Sequence, residues 1–388
     1  MSEDSIILED REVLTRAREP LLAHLPLSAG GYKCSTGDLI AVLLAMASSR
    51  GTVEQVCAEL PGLPDATTIR TYLNNQLALG ELATVEAAVN AVLQTQVPRR
   101  IRRHAQDVAF DFHDRPYYGK RSAEKGLWVR GKAKAGTTRF YRIATAYVVQ
   151  RGQRVTVGVK FVVPGLSTLD VVKALLQAVA EAQITVACLL LDKGFAGVAV
   201  AQYLERAHRP AVIACPIHGK TGGTRALCRG RKSYRTTHTF NAKSGATYTA
   251  PVVVCRVFIT HQRTGRAQRR ADWQVFIVLH LDLTPQQTKR RYRRRFGIET
   301  SYRCAGQVRG WTTSPNPVLR FLLLGLAFFV QNVWVALQWL FTQVPRRGRR
   351  YLDAARFRLR RCARFLYRAL EDVYGYVHCI VAPAPPRL

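Results

Sequence analysis

Between residues 105 and 215 the hydrophobic period of the chain changes in a fixed order, and that order leaves few folds open. "DVAFDFHD" alternates apolar and polar residues with period two, and "RFYRIATAYVVQ" and "RVTVGVKFVVP" sit on either side of the short turn "RGQ". These read as three antiparallel strands. "STLDVVKALLQAVAEAQ" then reads as a capped amphipathic helix, and "ITVACLLLD" as an apolar run of the kind that forms a buried parallel strand. "FAGVAVAQYLERAH" returns to helical period and "PAVIACPI" to strand. The sum is an α/β fold: one mixed sheet, antiparallel in its first three strands and parallel in its later ones.

The flanks follow other patterns. Residues 1–98 read as a helical domain, in which "TVEQVCAEL" and "TTIRTYLNNQLAL" surround the breaker "PGLPDA". That pair resembles a helix-turn-helix, with Thr68, Arg70 and Asn74 on its second helix available for DNA. Residues 216–282 interrupt the α/β pattern with turn signals and the strands "YTAPVVVCRVFI" and "DWQVFIVLHL", a β-rich insertion. The core therefore spans 105–215 and 283–345, and 346–388 is a basic helical C-terminal region.

Charge narrows the function. Against 26 Asp and Glu the chain carries 58 Lys and Arg, a formal charge of +32. Self-repulsion of that size opposes compaction, so a polyanionic partner is expected, and its spread along the chain suits an extended nucleic-acid surface. Nine cysteines form no CxxC pair, which fits reduced thiols and a cytoplasmic setting. "FLLLGLAFFVQNVWVALQWLF" (321–341) is long enough to span a bilayer, but Gln331 and Asn332 at its middle point to a buried helix and no membrane partner. No GxxxxGK[ST] loop implies ATP.

Three acids occupy places where chemistry is expected. Asp111 lies inside the first strand, and Asp192 follows "VACLLL" at the C-terminal end of a central strand, where α/β sheets keep their sites. Asp114, at the first strand's exit, competes with Asp111. Glu299 stands alone in "RRYRRRFGIETSYR", on what reads as a long basic helix beginning at Thr284-Pro285. Carboxylates gathered in a cationic chain suit hard cations such as Mg²⁺ or Mn²⁺, and two such ions can drive phosphodiester cleavage. Tyr292, Arg295 and Glu299 fall at i, i+3 and i+7, on one helical face.

"AFDFHD", "LLLDKGF" and Tyr292-x2-Arg295-x3-Glu299 together resemble the DDE-class insertion-sequence transposases, over about residues 105–340. The resemblance implies a ribonuclease H-like core with a β-strand insertion, and a two-metal triad of Asp111, Asp192 and Glu299. It implies phosphate contacts from Tyr292 and Arg295, with Arg291, Arg294, Arg303, Lys120 and Lys193 as further DNA-binding positions. The family's lysine seven residues after the glutamate is here Gly306, with Gln307 and Arg309 close by. The partners implied are double-stranded DNA with terminal inverted repeats, a target DNA and a second copy of the chain in a synaptic complex, in the cytoplasm at the nucleoid. A non-catalytic DNA-binding derivative and a structure-selective nuclease of the same fold are the alternative readings.

Overall fold

The computed structural model describes residues 7–119, 127–150, 153–263, 266–346 and 349–379. The chain divides into two compact units, Met1–Pro98 with Ser301–Leu388, and Arg99–Thr300. The first begins with five helices: α1 (Asp10–His24), α2 (Thr36–Ser49), α3 (Val53–Glu59), α4 (Ala66–Gln76) and α5 (Leu82–Thr95). Their starts are written in the sequence as capping residues. Ser35 and Asp38 exchange side-chain and backbone hydrogen bonds at α2, Thr52 and Gln55 do the same at α3, and Asp65 accepts from Thr67 and Thr68 at α4.

In the second unit, nine strands among the described residues form one mixed sheet. They are β1 (Gln106–Pro116), β2 (Val129–Lys134), β3 (Thr137–Gln150), β4 (Gln153–Val162), β5 (Val186–Leu191), β6 (Ala211–Cys215), β7 (Tyr234–Asn241), β8 (Thr247–Arg263) and β9 (Arg266–Leu279). The core order is β4-β3-β1-β5-β6, with β1, β3 and β4 antiparallel and β1, β5 and β6 parallel. This is the expected ribonuclease H-like arrangement. Helices α6 (Thr168–Glu181) and α7 (Val198–Arg206) supply the crossovers from β4 to β5 and from β5 to β6.

The insertion joins that sheet. β9 pairs antiparallel with β6 from Val275↔Cys215 to Leu279↔Ala211, and β8 and β7 follow outward. The physical reason is the edge of β6: its backbone groups need partners, and the apolar Val275–Leu279 run provides them under cover. Two strands had no clear sequence signal, because β2 is a short polar ribbon and β7 alternates only polar and half-buried residues.

The basic segment after β9 begins as predicted, with Thr284 capping through Gln287 and Pro285 in the first turn. It is not one helix. α8 (Pro285–Arg293) passes into a 3₁₀ turn at Arg294–Phe296, then α9 (Gly297–Ala305). The break falls at Gly297, a weak helix former, whose missing side chain makes room for Tyr147: a Cβ there would lie 3.1 Å from the Tyr147 hydroxyl.

Beyond α9 the chain completes the helical unit with α10 (Pro317–Phe341) and α11 (Leu359–Tyr374). The expectation that 283–345 belongs wholly to the catalytic core therefore changes, because α10 lies against α1, α2, α5 and α11. It is long and apolar enough to cross a membrane, yet 94% of its most apolar window is buried within the protein. Its amide NH2 groups find acceptors there: Gln331 donates to Ser301 Oγ (2.8 Å), Asn332 to the Leu93 carbonyl (3.2 Å) and Gln338 to the Phe357 carbonyl (2.9 Å).

Helices α5 and α10 meet at Gly325, where a Cβ would lie 2.5 Å from Cγ1 of Val89. Gly325→Ala gains about 1 kcal/mol of helix propensity. The stiff β-branched Val89 cannot turn aside, so overpacking outweighs that gain. The variant should lose about 1–2 kcal/mol net in urea unfolding, and a stabilised variant would contradict this close approach.

Candidate active site

Strand register brings the two aspartates together. Phe110 of β1 pairs with Leu191 of β5, and Asp111 and Asp192 are the next residues along two parallel strands. Both side chains open on a cleft of about 430 Å³, whose wall includes Phe112, Asp114, Arg142 and Gly194. The "DKGF" sequence shapes the floor. Phe195 stacks on Phe112 (centroids 4.2 Å apart, planes 6° apart), and Gly194 passes so close to Phe112 that a Cβ would come within 2.9 Å of its ring.

Asp111 and Asp114 have different partners. Asp114, on the wall of the same cleft, is held by Arg142 in a bidentate pair (Nε 2.7 Å, Nη2 2.8 Å), whereas Asp111 lies with Asp192 beside Arg295. Asp192 starts a 3₁₀ turn through its backbone, and its side chain caps nothing. Asp111 accepts from the Phe112 amide at 3.0 Å and meets Arg295.

Arg295 is the centre of the arrangement. Its Nη1 lies 3.3 Å from Asp111 and its Nη2 3.2 Å from Asp192, and only 5% of the residue is exposed. Tyr292 donates its hydroxyl to the same Asp192 oxygen at 3.2 Å and packs its ring on Phe276 of β9. The 3₁₀ turn matters here. At three residues per turn, positions 292 and 295 eclipse, so the guanidinium sits 5.4 Å over the Tyr292 ring while both groups reach one carboxylate. Nη1 meets Asp111 as an ion pair without hydrogen-bond geometry, and Nε is buried without a hydrogen-bond partner.

Charge and burial compete at these groups. Burial, with help from Asp192 and Glu299, pushes the Asp111 carboxyl up to about 6 against the pull of Arg295. Burial also pushes the Tyr292 hydroxyl far up, which keeps it a donor. For Arg295 burial works against the charge, and the surrounding Tyr292, Asp192, Asp111 and Glu299 together outweigh it and hold it protonated. Glu299 itself is exposed on α9, close enough to contribute to this field.

The remaining basic positions separate. Arg291 grips Asp107 with two nitrogens (Nη2 2.6 Å, Nε 3.2 Å), and Arg294 adds a third contact at 3.0 Å. The expectation that these two arginines face DNA gives way to an internal role: Asp107, at the buried start of β1, needs paired cations once it is out of water. Nothing in the spacing of residues 184 positions apart could have shown this. Lys193 is exposed beside Asp192, and Arg303 is exposed in the last turn of α9. Lys120 lies outside the described residues.

With that geometry in place, comparison with known families decides the matter of kinship. The family described as "Transposase DDE domain" matches residues 102–325, more than half of the chain. The chain belongs to the DDE transposase family. A search of the curated proteins gave no match.

Transposases of this family use divalent metal ions, and the donors present fit one. Two carboxylates already converge on a single positive group, the Arg295 guanidinium, and carboxylate oxygens suit hard cations. Among the described residues no three His, Cys, Asp or Glu side chains form a ready cage. Mg²⁺ commonly takes one or two carboxylates from a protein and completes its shell with water and substrate phosphate.

Two predictions follow from these contacts. Asp107→Asn leaves Arg291 without its carboxylate and should cost about 3 kcal/mol in urea unfolding, the low end for a broken buried pair because Arg294 is half solvated. An unchanged midpoint would show that the clamp carries no weight. The Asp111 carboxyl, at about 6 in the folded chain, lies above the roughly 3.9 of an unfolded aspartate. The folded state thus binds more protons between those values, so stability from this group is complete below about pH 4 and is lost as pH rises through 6. In EDTA, Asp111→Asn should gain stability relative to wild type between pH 4 and pH 7. A constant difference would contradict a raised Asp111.

Proposed function

We propose that this transposase cuts DNA strands at the ends of its own element and transfers the freed 3′-hydroxyl ends to a target, with Asp111, Asp192 and Glu299 as its metal-binding acids. The observation that carries the reading is the convergence of Asp111 and Asp192, from adjacent parallel strands, on the buried Arg295. Mg²⁺ or Mn²⁺ held by these acids would activate water or a 3′-hydroxyl for in-line attack and stabilise the leaving oxygen, two ions being the number such chemistry commonly uses.

The chain's own residues have defined tasks in this scheme. Asp111 and Asp192 orient their oxygens toward the cleft. Tyr292 fixes one Asp192 oxygen by donating to it, which restricts the carboxylate to one orientation. Arg295 neutralises the pair in the absence of substrate, and a guanidinium so placed suits a phosphate oxygen that enters beside the acids. Lys193, exposed next to Asp192, is a cation for the DNA backbone, and Arg303 offers a second exposed cation on α9. Gly306 offers no side chain where the family's lysine stands, so any cation for that task comes from a neighbour such as Arg309.

The helical unit suits DNA less directly than its sequence implies. Of the three helix-turn-helix positions, Thr68 is bonded to Asp65 and Arg70 to Glu54 (both 2.6 Å), and Asn74 alone is exposed without such a tie among the bonds described. Terminal inverted repeats, a target duplex and a second copy of the chain in a synaptic complex are the partners of this function, which places it at the nucleoid.

The test is cleavage of labelled duplex carrying the inverted repeat that borders the gene, with Mg²⁺, Mn²⁺ or EDTA. Wild type should cut at the repeat boundary only with metal, and Asp192→Ala and Glu299→Ala should each lower the rate by at least a hundredfold while still binding the duplex. Cleavage retained in Glu299→Ala would remove that residue from the triad. Products never joined to a target would redefine the enzyme as a nuclease.

A further inference from the structure

The outer half of the β8–β9 hairpin leaves the sheet. The last sheet partners are Tyr234 of β7, opposite Val254, and Cys215 of β6, opposite Val275. Yet β8 and β9 continue to pair with each other from Cys255↔Gln274 to Arg263↔Arg266. At its base this stretch is held by the bonds Arg256 makes to Ser233 and Arg231, by the Cys255 thiol donating to the Pro285 carbonyl (3.3 Å) and by burial of Cys255 and Val257, whereas from Phe258 outward along β8 its described side chains are exposed. At about 3.3 Å per residue these nine pairs make a two-stranded ribbon roughly 30 Å long.

Such a ribbon is costly without a partner. Both edges carry unpaired backbone groups, and two strands alone are marginal in water. Its composition shows which partner it avoids and which it suits. Residues 255–274 contain five arginines and one acid, Asp272. That charge opposes edge-to-edge pairing with a second copy and matches a polyanion.

One face is specifically built. Phe258 is 53% exposed, and the guanidiniums of Arg256 and Arg269 lie over its ring at 5.3 and 4.5 Å. An exposed aromatic ring between two cations, at alternate positions of a twisted ribbon, presents a flat apolar surface edged with charge. Arg270 and Ile259, on the opposite face, are also exposed.

We propose that this ribbon is a DNA-reading arm that lies in the major groove of duplex DNA, with the Arg256–Phe258–Arg269 face toward the base edges. The dimensions agree: the major groove is about 12 Å wide and admits a two-stranded β-ribbon, and one helical turn of about 34 Å matches the ribbon's length. The apolar Phe258 ring meets thymine methyl groups, and the guanidiniums meet guanine edges or flanking phosphates. This rests on the transposase reading of the catalytic unit, since it names the surface by which that enzyme holds its DNA.

The experiment measures duplex binding by the full-length protein across a salt series, together with protection of guanine N7 from methylation in the major groove. Wild type is compared with Arg269→Ala/Arg270→Ala, with the charge-keeping Arg269→Lys/Arg270→Lys and with Phe258→Ala, all at exposed positions. If the arm reads DNA, the alanine pair loses at least tenfold in affinity at fixed salt and its log–log salt slope becomes shallower by about 0.9, the one phosphate contact of Arg269 on the groove-facing side. The lysine pair keeps that slope, and Phe258→Ala keeps the slope but loses N7 protection. Steep salt-dependent binding by wild type, with affinity, slope and protection unchanged in every variant, overturns the arm and leaves the transposase reading intact. Altered sedimentation with unchanged DNA binding assigns the ribbon to self-pairing and overturns it too. If wild type itself binds no duplex, the transposase reading fails and the arm fails with it.

Discussion

One buried cation sets the form of the catalytic unit. Two carboxylates brought to the same edge of a sheet repel each other, and repulsion grows as water is excluded. Arg295 resolves this by lying between Asp111 and Asp192, within 3.3 Å of both. A guanidinium is suited to the place because its planar fork can address two acids at once and it does not lose its proton. The arrangement is also open to competition, since a divalent ion between the same oxygens would take over the neutralisation that Arg295 provides. Everything that positions Arg295 therefore positions the acids.

That positioning comes from a second set of charges. Asp107, four residues before Asp111 on the same strand, holds Arg291 and Arg294, and so ties the end of α8 and the 3₁₀ turn to the start of β1. Tyr292 and Arg295 come from the same stretch and reach across to β5. The basic segment that looks in the sequence like a DNA-binding stripe is divided by function: Arg291 and Arg294 fasten the helix to the sheet, and the buried Arg295 faces the acids. Buried ion pairs contribute little net stability against apolar substitutes, but a broken one is heavily penalised. A clamp of this kind fixes geometry more than it adds stability.

Much of this was legible in the sequence. The change from alternating strands to continuous apolar ones predicted the mixed sheet, because a strand buried on both faces has no reason to alternate. Asp111 and Asp192 stood out because they interrupt or end such strands, and Thr284-Pro285 announced the helix start. What stayed hidden depended on long-range partners. The pairing of Asp107 with Arg291 leaves no local trace, and neither does the choice of Asp114 for Arg142. The helix was read straight through Gly297, because a single glycine in a basic run does not show that Tyr147 will need its space. The apolar 317–341 segment has the composition of either a membrane span or a buried core helix, and only the surrounding helices decide between them.

The central claim is that Asp111, Asp192 and Glu299 bind one and the same divalent-metal site although they lie far apart in sequence. Fe²⁺ substituted for Mg²⁺ and triggered with ascorbate cleaves a polypeptide next to the bound ion, and the fragments can be sized by mass. The account predicts cuts near residues 111, 192 and 299 that Mg²⁺ suppresses in competition and that Asp192→Ala abolishes together. Cuts confined to other segments, or cuts near 111 and 192 without any near 299, would contradict it.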